Sequence, residues 1–157
     1  MTARRVAAID CGTNSIRLLI ADVDIERESA TDVAREMVVV RLGEGVDATG
    51  TFSPAALERT FDACRVYADM LRAAGDPPVR FVATSASRDV SNRAEFVAGV
   101  RGILGVEPEV IEGSQEGELS FAGATVGIPE DAQQPFLVVD IGGGSTEFVL
   151  GSGAPTH

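Results

Sequence analysis

Leu137-Val138-Val139-Asp140-Ile141-Gly142-Gly143-Gly144-Ser145-Thr146-Glu147-Phe148-Val149-Leu150 decides how the rest of the chain is read. An apolar run ends on an aspartate, three glycines follow, and a second apolar run leaves them, which predicts strand, tight turn, strand. Consecutive glycines cost backbone entropy and are kept where φ must be positive or where something touches the main chain. Their amides can form a nest for a phosphate, and Asp140 at the strand end can hold a metal ion on that phosphate. A glycine hairpin with no ligand is the competing reading of this stretch alone.

A second copy near the start tips the balance. Val6-Ala7-Ala8-Ile9-Asp10-Cys11-Gly12-Thr13-Asn14-Ser15-Ile16-Arg17-Leu18-Leu19-Ile20 has the same grammar, with Asp10 falling on Asp140, Gly12 on Gly142 and Ser15 on Ser145. At one equivalent place the copies differ, Arg17 against Glu147. A cation there suits a loop gripping a polyanion, and a carboxylate suits one placing a metal or a water. Two such hairpins imply two lobes facing each other across a phosphate.

Composition narrows the chemistry. The 157 residues, 45% hydrophobic and 24% charged, suffice for one domain with a core. No apolar run reaches membrane-spanning length and the start lacks a signal core, so a cytoplasmic protein with no membrane partner is expected. All 13 basic residues are arginine and the only histidine is His157. That excludes a Walker-type lysine and a Schiff-base lysine, and leaves proton transfer to carboxylates and metal binding to a hard cation such as Mg²⁺. The net charge of −11 argues against nucleic acid as a partner. Cys11 and Cys64 lack metal-ligand spacing and read as small packing residues.

Along the chain, the first hairpin ends near Asp24, a polar turn covers 26–32, and 35–42 reads as a third strand closing in the Gly43-Glu44-Gly45-Val46 loop, another candidate contact to the site. Ser53-Pro54 opens a helix with an N-cap serine and proline at its first position. Leu57, Phe61, Cys64, Ala68 and Leu71 give it one apolar face, and Gly75 ends it. A strand over 79–84 runs into Ser85-Ala86-Ser87-Arg88-Asp89, ahead of a helix near 92–104. That loop reads equally as a ligand-facing loop and as helix capping by Ser87 or Ser91. After a strand at 110–111, Ser114 is the expected N-cap of a helix to about Val126. Glu116 in its first turn is either a dipole-complementing acid or a general base aimed into the cleft. Three antiparallel strands followed by helix–strand alternation predict an α/β fold, a mixed sheet with helices on its faces. The polar, proline-bracketed 127–135 connector divides a first lobe (1–133) from an opening hairpin of a second (134–157), whose apolar edges predict self-association, in the simplest case a homodimer, or local disorder.

Four segments then carry a family resemblance: 10–18 (DCGTNSIRL), 41–46 (RLGEGV), 83–89 (ATSASRD) and 140–147 (DIGGGSTE). In that order and at those separations the chain resembles the amino-terminal half of the exopolyphosphatase/guanosine pentaphosphatase family, within the actin-like phosphotransferase superfamily. The resemblance implies an actin-like (ribonuclease H-like) lobe with a mixed five-stranded sheet. It also implies removal of terminal phosphate from inorganic polyphosphate or guanosine pentaphosphate with Mg²⁺ or Mn²⁺. Carried over, Glu116 matches the carboxylate activating the attacking water. Asp140 and Glu147 match the metal- and water-positioning acids, and Asp10 a metal-side acid. Asn14, Ser15, Arg17, Gly142, Gly143, Gly144 and Ser145 match the phosphate cradle, and Ser85 and Arg88 the loop gripping the transferred phosphate. The family's usual Ser-Gly-x-Glu-Glu-Ala is here Ser114-Gln115-Glu116-Gly117 after Glu112-Gly113, which bears on water positioning, metal affinity and rate. With only the first lobe present, little activity is expected of this chain alone. An ATP-dependent kinase or chaperone of the same superfamily, and a non-catalytic polyphosphate or alarmone sensor, are the alternatives.

Overall fold

A computed structural model describes residues 3–27, 29–129 and 131–152. The last five residues of the expected second segment, His157 among them, lie outside it. The first hairpin is β1 (Arg4–Cys11) and β2 (Ser15–Asp24), paired antiparallel so that Ile9 faces Leu18 and Cys11 faces Ile16. Period-two alternation then sets the two faces. Ala7, Ile9, Cys11, Ile16, Leu18 and Ile20 are buried on one, while Asp10 and Arg17 are paired on the other. β3 (Ser29–Val39) adds antiparallel to β2, and β4 (Val79–Ala83) and β5 (Glu109–Val110) add parallel on the far side of β1, giving the order β3-β2-β1-β4-β5.

The apolar face is covered by α2 (Pro54–Ala73) and α3 (Arg93–Leu104), which follow a single turn α1 (Val46–Thr49). Ser53 caps α2 as its sequence demands, accepting from the Ala56 amide at 3.2 Å. Phe81 on β4 meets Phe96 on α3, ring centroids 6.3 Å apart, and Phe96 meets Phe52 at 5.7 Å. Tyr67, fully buried on α2, donates its hydroxyl to the Ile16 carbonyl at 2.9 Å, fixing the helix to the strand that carries Arg17. Gly99 lets α3 close on α2, because a Cβ there would lie 2.2 Å from the Phe61 ring.

The last elements are α4 (Gly113–Thr125), β6 (Phe136–Ile141) and β7 (Thr146–Gly151), the two strands forming their own antiparallel sheet. This hairpin packs on α4: a Cβ at Gly117 would meet Val149 at 2.9 Å, and one at Gly151 the Phe121 ring at 2.6 Å. Leu137, Ile141, Phe148 and Leu150 are exposed on its other face. No helix of the described residues is long and apolar enough to cross a membrane.

Three local expectations are corrected. The third strand begins at Ser29, so much of the segment assigned to a turn is strand, and it ends at Val39, short of Leu42. It is an edge strand, exposed along nearly its whole length, so the burial alternation that marks a strand is missing. The N-cap of α4 is Glu112, two residues before Ser114. The side chain of Gln115 reaches back to accept from the Glu112 amide at 3.2 Å, so Gln115 holds the helix start in a capping box. Thirdly, neither Ser87 nor Ser91 caps α3: Asn92 stands at its N-cap, and 85–87 form a separate 3-10 turn.

Candidate active site

The two glycine loops close their hairpins identically. In the first, Gly12 N donates to Ser15 O at 2.9 Å, and in the second Gly142 N donates to Ser145 O at 2.9 Å. Asp10 stands directly opposite Arg17, and Asp140 directly opposite Glu147, so the duplicated sequence is duplicated in register. The loops also meet. A Cβ on Gly143 would lie 3.0 Å from the Asn14 Cβ, and one on Gly144 would lie 2.6 Å from Thr13 Oγ1 and 3.1 Å from Ser85 Oγ. Neither Gly142, Gly143 nor Gly144 has a positive φ, so crowding of the glycine backbone by Thr13, Asn14, Ser85 and Ser145, not a left-handed backbone, accounts for the glycine run.

Where they meet lies a polar cleft of about 510 Å³. From the first hairpin it is lined by Asp10, Asn14, Ser15 and Arg17, and from the second by Asp140, Gly142, Gly143 and Ser145. Ser85 and Glu116 reach it from the sheet's carboxyl end and from α4. Gly144 stands against Thr13 and Ser85. Most of the sequence-assigned residues thus line one space from elements far apart in the chain, but Gly144, Arg88 and Glu147 are not part of its lining: Arg88 pairs with Glu116 and Glu147 stands opposite Asp140.

Glu116 is the most constrained of them. It accepts from Arg88, whose Nε donates to the Ile111 carbonyl at 2.9 Å, and the side chains of both are largely buried. Burial pushes its carboxyl above the usual glutamate range and Glu147 pushes the same way, while Arg88 and Thr84 pull it down without cancelling the rise. The direction that the sequence left open is therefore upward, with burial its largest cause. Asp10 is also raised, chiefly by burial, against the pull of Arg17 Nη1 3.2 Å away and with a further push from Asp140.

The second hairpin carries an unusual pair. Asp140 and Glu147 are like charges directly opposite each other, an arrangement that destabilises a strand pair unless a positive group intervenes. Asp140 accepts from Ser120 of α4, but Glu147 Oε2 is buried with no hydrogen-bond partner. Among the described residues no three acidic, histidine or cysteine side chains gather closely enough to hold a metal alone. A donor set of one or two carboxylates beside a phosphate cradle fits Mg²⁺, which is commonly bound by few protein ligands together with substrate phosphates and water.

Several residues of the site were not singled out from sequence. Thr13 Oγ1 and Ser85 Oγ share a hydrogen bond of 3.0 Å across the cleft floor, and Thr84 holds Glu116. Ser120 had a readable signal, since it lies one turn after Glu116 on the same face of α4. Gly43 and Glu44, from the loop expected to contact the site, do line the cleft, and Arg41 just before them lines it too.

Known proteins resemble this chain in sequence and in fold. The sequence profile of the Ppx/GppA phosphatase family matches residues 19–157. Exopolyphosphatase 2 of Mycobacterium tuberculosis is 56% identical over an alignment of 158 residues, covering 96% of this chain and 49% of that protein. The crystal structure of an exopolyphosphatase-like protein superposes with a TM-score of 0.91 at 49% identity, over 99% of this chain and 48% of that one. An exopolyphosphatase from Cytophaga hutchinsonii gives a TM-score of 0.86 at 32% identity, over 94% of this chain and 46% of its own. The chain thus spans about half the length of the curated exopolyphosphatase it matches. The mixed five-stranded sheet is that of an actin-like, ribonuclease H-like lobe.

Proposed function

This chain belongs to the Ppx/GppA phosphatase family, and we propose that it supplies one wall of a site that hydrolyses the terminal phosphoanhydride bond of inorganic polyphosphate. The observation that carries this is the meeting of two register-matched glycine hairpins over one polar cleft with a proton-seeking Glu116 at its side. In the reaction, a water oxygen bonds to the terminal phosphorus as the bridging P–O bond breaks. Glu116 takes the water proton, and the shortened chain leaves with the bridging oxygen. A carboxyl raised above its ordinary range is a better base than an unperturbed one. Arg88 orients that carboxylate and stands ready for the negative charge of the transferred group, and the amides of Gly142 to Ser145 with Asn14 and Ser15 hold its oxygens. Asp140, with either Glu147 or Asp10 beside it, would supply the one or two carboxylates for a Mg²⁺ or Mn²⁺ ion, which when bound neutralises phosphate charge.

Guanosine pentaphosphate presents a comparable terminal phosphate and is the second substrate in this reading. We place the first lobe at 1–133 and the start of a second at 134–157. Half an active site predicts little turnover by this chain in isolation.

The test is phosphate release from long-chain polyphosphate with Mg²⁺, by this chain and by any longer protein containing it, each with its Glu116→Gln variant and with ATP as the competing substrate. Release from polyphosphate that the variant loses by about 10²-fold or more supports the reading. Turnover of ATP alone would replace it with the kinase-like alternative, and binding without turnover that survives Glu116→Gln would replace it with a sensor.

A further inference from the structure

Three arginines stand at or beside the cleft, and two are already engaged, Arg17 by Asp10 and Arg88 by Glu116. Arg41 is not. Its side chain is exposed at the cleft mouth, and its guanidinium has no partner among the described residues. Its backbone, by contrast, is tightly held. The amides of Val40 and Arg41 both donate to the Asn14 carbonyl, at 3.0 and 2.9 Å, and Gly43 N donates to Thr13 O at 2.9 Å. Behind them Arg59 clamps the segment, donating to Val40 O at 2.8 Å, Arg41 O at 3.4 Å and Glu44 at 2.7 Å.

The result is an arginine fixed onto the first phosphate loop in the left-handed region, φ 49°. Glycine or asparagine occupies that region at lower free energy than arginine. No contact of the guanidinium among the described residues offsets the difference, which leaves the side chain available to a ligand. A free guanidinium at the rim of a phosphate cleft, beside two arginines already paired with carboxylates, matches a phosphate further along a polyanion.

We infer that Arg41 binds a phosphate unit behind the terminal one, making it a specificity-determining contact for chain length. This deepens the polyphosphate reading above and rests on it. Arg41 touches no reacting atom, so its loss is felt in affinity for long chains and not in the hold on a single phosphate.

The experiment is equilibrium binding of long-chain polyphosphate and of orthophosphate by calorimetry, on the full chain with Mg²⁺. Wild type is compared with Arg41→Asn and Arg41→Gly, both suited to a positive φ. We expect each variant to bind long chains about tenfold more weakly, the loss of one charge-assisted contact, and to bind orthophosphate as wild type does. Their melting temperatures stay at or above that of wild type. Equal weakening for both ligands, undiminished long-chain affinity, or a lower melting temperature in both variants would overturn the role of Arg41. A wild-type chain that binds long polyphosphate no better than orthophosphate would instead overturn the substrate reading, and this inference with it.

Discussion

Gly144→Ala puts the contact between the two loops under direct test. The added methyl would sit 2.6 Å from Thr13 Oγ1, 3.1 Å from Ser85 Oγ and 3.4 Å from Thr13 Cβ, against an ordinary contact beginning at 3.4 Å. Either the Thr13–Ser85 hydrogen bond of 3.0 Å breaks as the hydroxyls turn away, or the second hairpin lifts off the first. Overpacking of this kind costs about 1–3 kcal/mol. A displacement of roughly 1 Å between groups that must grip one phosphate costs about 10²-fold in rate. Thermal or urea unfolding reads the first effect, and phosphate release by an active form of the protein reads the second. Gly102→Ala is the control: its Cβ meets nothing within 4 Å inside α3, so it should stabilise by about 0.5–1 kcal/mol. A Gly144→Ala protein with wild-type stability and rate would refute the reasoning, because the loops would then not be in contact in solution.

Glu116→Gln should raise the melting temperature at neutral pH while abolishing turnover. Its folded-state pKa is raised by burial and by Glu147, so the stability it contributes is present below the unfolded glutamate range and lost as pH rises through the folded value. The difference between variant and wild type should therefore shrink on acidification, and a variant that melts lower at neutral pH would contradict this. Tyr67→Phe removes the hydroxyl that donates to the Ile16 carbonyl and should cost about 0.5–1.5 kcal/mol in urea unfolding; an unchanged midpoint would show the bond to be dispensable. Mg²⁺ with orthophosphate should raise the melting temperature of wild type and not that of Glu147→Gln, and an equal rise in both would remove Glu147 from cation binding.

The sequence exposed what local periodicity and repetition encode. Asp10 and Asp140 could be superposed by eye because each ends an apolar run and begins a glycine loop, and the hairpin register follows from that spacing. The start of β3 was hidden because Ser29 to Val33 lie on a sheet edge where neither face is buried. Gln115 looked like a missing acid at the site, yet its spacing from Glu112 is that of a capping box, a local signal overshadowed by interest in Glu116. Thr84 and Thr13 could not be assigned, since threonines are common and only the parallel pairing of β1 with β4 brings these two loops together.

The difference in charge between the repeats, Arg17 against Glu147, explains how the site is charged. Opposite its aspartate the first hairpin has Arg17, and the pair neutralises itself. The second has Glu147, which leaves two acids facing each other and one buried oxygen without a partner. Among the described residues Arg17 and Arg88 are held by Asp10 and Glu116, Arg41 stands on the first loop and pairs with neither acid, and the net charge of −11 supplies no general positive field. The first hairpin is thus satisfied before any ligand arrives, and the second is satisfied only when positive charge is brought in. A polyanion would be repelled by the second hairpin unless it came with a cation, so the asymmetry at one register position supports joint binding of phosphate and metal over binding of phosphate alone.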